Sequence, residues 1–108
     1  MSEVVVAGED PDGLGTALEE RGAEVTRAAG TANRPALEEA GIVDADVLVV
    51  TDAGLATSVP IAVDLNPDLR VVVYTRDSVP EFVKGQAGHI VDPQLLSPGT
   101  VAEEIVQR

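Results

Sequence analysis

The sequence predicts an α/β domain of three layers, a five-stranded parallel sheet with helices on both faces. Short apolar runs alternate regularly with segments of helical apolar spacing along the whole chain. The connections between runs are long enough for a helix, which means parallel pairing through right-handed crossovers. The runs themselves are continuously apolar, as in strands covered on both faces. At 108 residues the chain has the size of one domain, residues 1–108, and no linker, repeat or low-complexity stretch divides it.

The elements follow in order. Val4-Val5-Val6-Ala7, ending at Gly8, reads as a buried strand. From Pro11 to Arg21 the residues Leu14, Ala17 and Leu18 fall at helical spacing, Glu19 and Glu20 point outward, and Gly22 ends the helix. Residues 23–29 form a weaker second strand with Val25 its one strong apolar residue. Pro35 suits a first helical turn, Leu37 and Ala40 make one face, and Gly41 stops it. Residues 45–51 (ADVLVVT) are the strongest strand in the chain. Residues 55–65 are helical but contain Pro60, so this helix begins late or kinks.

Asn66-Pro67-Asp68 is a turn, and residues 69–75 (LRVVVYT) are another buried strand. Ser78 and Glu81 have the spacing of a capping box for a helix through Phe82 and Val83. Residues 88–91 make a short last strand. Ser97-Pro98 opens the final helix, with Val101, Ile105 and Val106 facing inward.

Composition excludes several functions. With no cysteine there is no disulfide, zinc-thiolate site or thiol catalysis. Nineteen acidic residues against seven basic ones give a net charge of −12, and Lys84 is the one lysine. A surface so acidic repels phosphate backbones and anionic lipid, so neither nucleic acid nor membrane is an expected partner. The carboxylates are spread along the chain with normal apolar periodicity, which is a globular pattern rather than a disordered tail. Rich in acid, poor in lysine and aromatics, this is the composition of a protein that works in concentrated salt, where charge repulsion is screened. No signal peptide or membrane span is legible, and a cytoplasmic location is expected.

In such a sheet a ligand binds beyond the carboxyl ends of the strands, where strand order reverses. That points to Gly8, Glu9 and Asp10 after the first strand, Arg27 to Gly30 after the second, Thr51 and Asp52 after the third, Thr75, Arg76 and Asp77 after the fourth, and Asp92 after the fifth. The first loop, Gly8 to Gly15 (GEDPDGLG), has glycines in the first and third places of a G-x-G-x-x-G phosphate loop, Gly8 and Gly13. Asp10 replaces the middle glycine, where a carboxylate blocks and repels a pyrophosphate. Asp10 capping a helix that Pro11 opens is the preferred reading over diphosphate binding. No G-x-x-x-x-G-K-[ST] run is present.

From Leu37 onward, LEEAGIVDADVLVVTD resembles the middle of the Trk/RCK N-terminal domain, the NAD- and nucleotide-binding regulatory domain of potassium channels and transporters. The resemblance continues through Ile61-Ala62-Val63, then NPDLRVVVYTRD, and ends in AGHIVDPQLL, about two thirds of the chain. It implies a Rossmann-like fold, ligand-gated regulation, homodimers and no chemistry of its own. An adenine nucleotide or NAD would then sit at Gly8, Gly13, Thr51 and Asp52. The sequence departs from that family in its first loop and in Arg27-Ala28-Ala29, where an acidic residue for the ribose is usual. About a dozen residues replace a further helix and strand, which turns the sheet order into the flavodoxin-like 2-1-3-4-5.

A second resemblance is to the receiver domains of response regulators, which share that order. Glu9 and Asp10, then Asp52, then Thr75 are similar to the receiver's acidic pocket, phosphoacceptor and switch hydroxyl. This implies a Mg²⁺ ion held by carboxylates while an aspartate takes a phosphoryl group. The receiver's lysine after the fifth strand falls near Asp92, of the wrong sign. Solvated carboxylates and turn formers account for the same residues without any ligand.

His89, the single histidine, reads as an edge residue, and Tyr74 and Phe82 as core or interface. Arg34, Arg70 and Arg76 read as surface ion-pair partners. With no nucleophile–base pair or intact cofactor loop, the chain is not expected to be an enzyme. The leading expectation is therefore a regulatory or nucleotide-binding domain of the RCK type, acting as a homodimer or beside a protein partner. A receiver-like phosphoacceptor and a ligand-free interaction domain are the alternatives.

Overall fold

The computed structural model describes residues 2–107; Met1 and Arg108, the ends of the expected domain, lie outside the described residues. Five strands, β1 (Glu3–Ala7), β2 (Glu24–Ala28), β3 (Val47–Val50), β4 (Arg70–Tyr74) and β5 (His89–Val91), form one sheet in the order β2-β1-β3-β4-β5. All four pairings are parallel. The expected flavodoxin-like α/β architecture is the one observed.

The helices are α1 (Leu14–Glu20), α2 (Arg34–Glu39), α3 (Ser58–Leu65), α4 (Glu81–Lys84) and α5 (Pro98–Val106). Short 3₁₀ turns at Ile42–Asp44 and Ala53–Leu55 flank β3. Side chains alternate across each strand, so the apolar runs feed two cores. One packs Val5, Leu48, Val50, Val71 and Val73 against α2, α3 and α4 through Leu37, Val59 and Val83. The other packs Val4, Val6, Val49, Val72 and Tyr74 against α1 and α5 through Leu14, Leu18, Val101 and Ile105. The continuous run in β3 reflects this, since all four of its residues are buried.

Several boundaries move for local reasons. The first helix begins at Leu14, three residues later than expected, because Pro11 and Asp12 form a turn closed by the Gly13 N–H on the Asp10 carbonyl at 3.1 Å. The strongest strand is shortened to Val47–Val50. Ahead of it Ala45 closes a 3₁₀ turn, and the Asp46 carboxylate accepts the Glu3 N–H at 2.9 Å. The Ser78/Glu81 capping box does not form; Pro80 precedes α4 and no side chain caps it. Pro60 sits in the first turn of α3, whose start is delayed to Ser58.

Elsewhere the local chemistry is as expected. Ser97 accepts the Thr100 N–H at the start of α5, and Gly22 and Gly41 follow their helices at φ 88° and 85°. Arg34 pairs with Asp64 at 3.7 Å, both largely exposed. Arg70 does something else: its Nη2 donates to the Ile105 carbonyl at 3.0 Å, satisfying a carbonyl in the last turn of α5.

Candidate functional site

The register places the ends of the three central strands side by side. Ala7 pairs with Val50 and Val50 with Val73, so Gly8, Glu9, Thr51, Asp52 and Thr75 emerge together at the carboxyl edge of the sheet. Gly13 stands just before α1 at φ 77°, and Asp10 sits beneath the helix start. The residues singled out from the sequence thus share one edge of the sheet.

What those side chains do there is largely structural. The Asp10 carboxylate accepts the Leu14 N–H at 2.9 Å and the Gly15 N–H at 2.6 Å. It also lies 3.6 Å from the Arg27 guanidinium, and only 5 % of its side chain is exposed. The N–H groups that would cradle a phosphate at this helix start are therefore engaged by the protein's own carboxylate. Asp12, next along the loop, takes a bidentate pair from Arg76 at 2.9 and 3.1 Å, which ties the β1–α1 loop to the β4–α4 loop. The Arg76 guanidinium is held firmly protonated, first by its hydrogen bond to Asp12 and then by that residue's charge.

Thr51 and Asp52 are also tied to neighbouring backbone. The Thr51 hydroxyl donates to the Glu9 carbonyl, with the Ala7 carbonyl also in reach at 3.3 Å. Asp52 lies past the end of β3, where Oδ1 accepts the Gly54 N–H at 2.8 Å and caps the following 3₁₀ turn. Gly8 lies against both; a Cβ there would stand 2.7 Å from Thr51 Oγ1 and 3.0 Å from Asp52 Cβ. Thr75 is buried and its hydroxyl accepts the Asp77 N–H at 3.2 Å. Beyond β5, Asp92 accepts the Gln94 N–H at 2.8 Å. Among the described residues no group of three or more His, Cys, Asp or Glu side chains comes together to hold a metal ion.

Arg27, Arg76, Asp12 and Gly15 complete this edge; the sequence places Arg27 and Arg76 at strand ends but does not pair them with the carboxylates of the first loop. A Cβ on Gly15 would meet the Arg27 guanidinium at 2.9 Å and Asp10 Oδ2 at 3.0 Å, so the missing side chain makes room for the ion pair. One signal pointed there: in a chain of net charge −12, two of seven cations stand at or just after strand ends.

Tyr74 anchors the neighbouring loop. It is 2 % exposed and its hydroxyl donates to the Leu96 carbonyl at 2.8 Å. Burial raises its pKa above the ordinary tyrosine value; Asp12, Asp10 and Asp92 add to this, and Arg76 opposes it. A raised folded value means the unfolded chain ionises first as pH climbs. This part of the stability is intact below about pH 10 and is lost as pH rises through the folded value. Denaturant titrations above that pH should show a fall in stability that is shallower in Tyr74→Phe, which has no proton to lose there. Equal slopes in the two proteins would refute the coupling.

A sequence profile for a family of unknown function, DUF7126, matches residues 4–105. The chain belongs to that family. No curated protein matches it. Among solved structures it is similar to an orphan response regulator of H. pylori, at TM-score 0.74 and 14 % identity over 98 % of this chain and 94 % of that one. A CheY-like response regulator receiver domain protein of Methanospirillum hungatei superposes at TM-score 0.72 with 18 % identity over 99 % and 92 %. A pilus assembly-related protein of Burkholderia pseudomallei gives 0.69 and 19 % over 99 % and 88 %.

These likenesses establish the receiver-type flavodoxin-like fold and correct the expectation of a Trk/RCK domain: the matched folds are receivers, and the matched family is DUF7126. With it goes the nucleotide-binding assignment, NAD or adenine nucleotide at Gly8, Gly13, Thr51 and Asp52. The apolar strand pattern behind the RCK resemblance belongs to any parallel sheet buried on both faces. No helix among the described residues is long and apolar enough to cross a membrane.

Proposed function

We propose that this chain is a receiver-like signalling domain that works through contacts with protein, takes no phosphoryl group and is not an enzyme. The observation that carries the reading is the state of the two carboxylates in the first loop. Asp10 is buried beneath α1 with Arg27 beside it, and Asp12 is closed by Arg76. A phosphoacceptor site needs free carboxylates to hold a divalent cation against the developing charge. In this chain the Arg76 guanidinium pairs bidentately with Asp12, Arg27 lies 3.6 Å from Asp10, and Asp52 is turned toward the Gly54 N–H. No lysine follows β5, and Lys84, in α4, pairs with Glu81 at 3.1 Å. The fold shared with receivers supports the class; the closed loops support the absence of transfer chemistry.

Incubation with acetyl phosphate and Mg²⁺ in molar KCl, followed by intact-mass measurement, tests this. The mass is expected to stay unchanged. A gain of one phosphoryl group that disappears in Asp52→Asn would overturn the reading in favour of a phosphoacceptor.

A further inference from the structure

Asp12-Gly13 is the one Asp-Gly step in the chain, and neither Asn33 nor Asn66 precedes a glycine. Such a step carries a reaction that needs no enzyme. The glycine nitrogen attacks the aspartate Cγ and a succinimide ring closes, with no Cβ on the glycine to hinder the approach. In this fold the step lies in the β1–α1 loop, where Gly13 has φ 77° and no heavy atom comes within 4 Å of the place a Cβ would take. Packing therefore does not shield the glycine nitrogen.

Hydrogen bonds hold both reacting groups instead. The two carboxylate oxygens of Asp12 accept from Arg76 at 2.9 and 3.1 Å, a fork that fixes the plane and position of the carboxyl carbon. The Gly13 N–H donates to the Asp10 carbonyl at 3.1 Å, so its proton is engaged and its nitrogen is set in the turn. Ring closure requires both contacts to open. One of them depends on a single side chain from the β4–α4 loop.

We propose that Asp12-Gly13 is a modification site at which the backbone isomerises to isoaspartate, and that Arg76 is the residue that protects it. The Gly13 nitrogen bonds to Asp12 Cγ, and one carboxyl oxygen leaves as water, carrying the amide proton and a proton taken from solvent. A second water then opens the ring. Attack at the Cγ carbonyl restores aspartate, whereas attack at the other carbonyl leaves the chain running through the Asp12 side chain, at unchanged mass. The main chain is then longer by one methylene and the free carboxylate stands directly on Cα. The spacing that sets Asp12 on Arg76 is lost, and the β1–α1 loop is released from the β4–α4 loop. The proposal is independent of whether the domain takes a phosphoryl group or meets a protein partner.

The reaction proceeds through the opened loop, so its rate follows the population in which Asp12 and Gly13 are free. Wild type and Arg76→Ala, aged at neutral pH in molar KCl, test it by peptide mapping of isoaspartate at residue 12 and by labelling with an isoaspartyl methyltransferase. Arg76 is half exposed and solvent screens its pair, so its removal is expected to speed the reaction about fivefold. Arg76→Ala/Asp12→Glu is expected to stay unlabelled, because the longer side chain closes its ring far more slowly. In guanidinium chloride strong enough to unfold them, wild type and Arg76→Ala are expected to age at one common rate, faster than folded wild type. Equal rates in the two folded proteins, a folded wild type that ages as fast as the unfolded chain, or label in Arg76→Ala that Asp12→Glu does not remove would each overturn the proposal.

Discussion

Gly8→Ala is expected to destabilise the domain by about 3 kcal/mol and to lower its melting temperature by about 15 °C. Two costs combine. The backbone at Gly8 has φ 109°, a conformation that residues with a Cβ rarely adopt. The added methyl would also stand 2.7 Å from Thr51 Oγ1, 3.0 Å from Asp52 Cβ and 3.2 Å from the Asp52 backbone nitrogen. Thr51 yields poorly, because its hydroxyl is held by the Glu9 carbonyl, and the Asp52 nitrogen is backbone. Gly8→Ala/Thr51→Ala is expected to regain only part of the loss, since it removes the contact with Oγ1 and leaves the φ strain and the Asp52 contact. Thermal unfolding of the three proteins in molar KCl checks this. A single variant that melts with wild type would show that β1 and β3 do not close on one another at Gly8.

The same contact explains why one glycine supported two readings in the sequence. A glycine ending the first strand is common to phosphate loops and to strand ends that pack closely, and spacing alone does not separate them. The distinguishing partner is Thr51, forty-three positions away, brought alongside by the pairing of Ala7 with Val50. Parallel sheets hide such partners because every strand contact is remote in sequence.

The sheet itself was legible because its signal is local and repeated. Runs such as Val47–Val50 and Val71–Val73 are buried on both sides and therefore lack polar alternation. Helix ends read well where one residue decides them, as at Ser97, Gly22 and Gly41. They read badly where a turn competed, as at Pro11, or where the capping residues lay on the wrong side of a proline, as at Ser78 and Pro80. Asp10 accepts N–H groups at the helix start, as a capping carboxylate does, but Gly13 is the residue that precedes α1, and Pro11 lies in the turn before it rather than opening the helix. The arginines that close the β1–α1 loop could not be assigned from spacing. Arg27 comes from the strand beside β1, and Arg76 lies sixty-four residues from its partner Asp12.

Asp10 decides between a structural and a binding carboxylate by the sign of one measurement. A carboxylate kept for a cation crowds other carboxylates when the cation is absent, and removing it stabilises the protein, as substitutions in binding sites commonly do. A carboxylate that completes a helix start does the opposite. Asp10 accepts two backbone N–H groups at 2.9 and 2.6 Å with 5 % of its side chain exposed, so Asp10→Ala leaves both donors without an acceptor. The cap together with its charge-assisted hydrogen bonds contributes about 2–3 kcal/mol. The pair with Arg27, itself half exposed, adds little because solvent screens it. Asp10→Ala is therefore expected to lose that amount in denaturant titration. Asp10→Asn is expected to fall between, because its amide keeps one acceptor oxygen and presents an N–H donor to the other helix donor. Mg²⁺ is expected to leave the three midpoints in the same order. A variant more stable than wild type, or a wild type that gains stability with Mg²⁺ while Asp10→Ala does not, would make Asp10 a cation ligand and reopen phosphoryl chemistry at this edge.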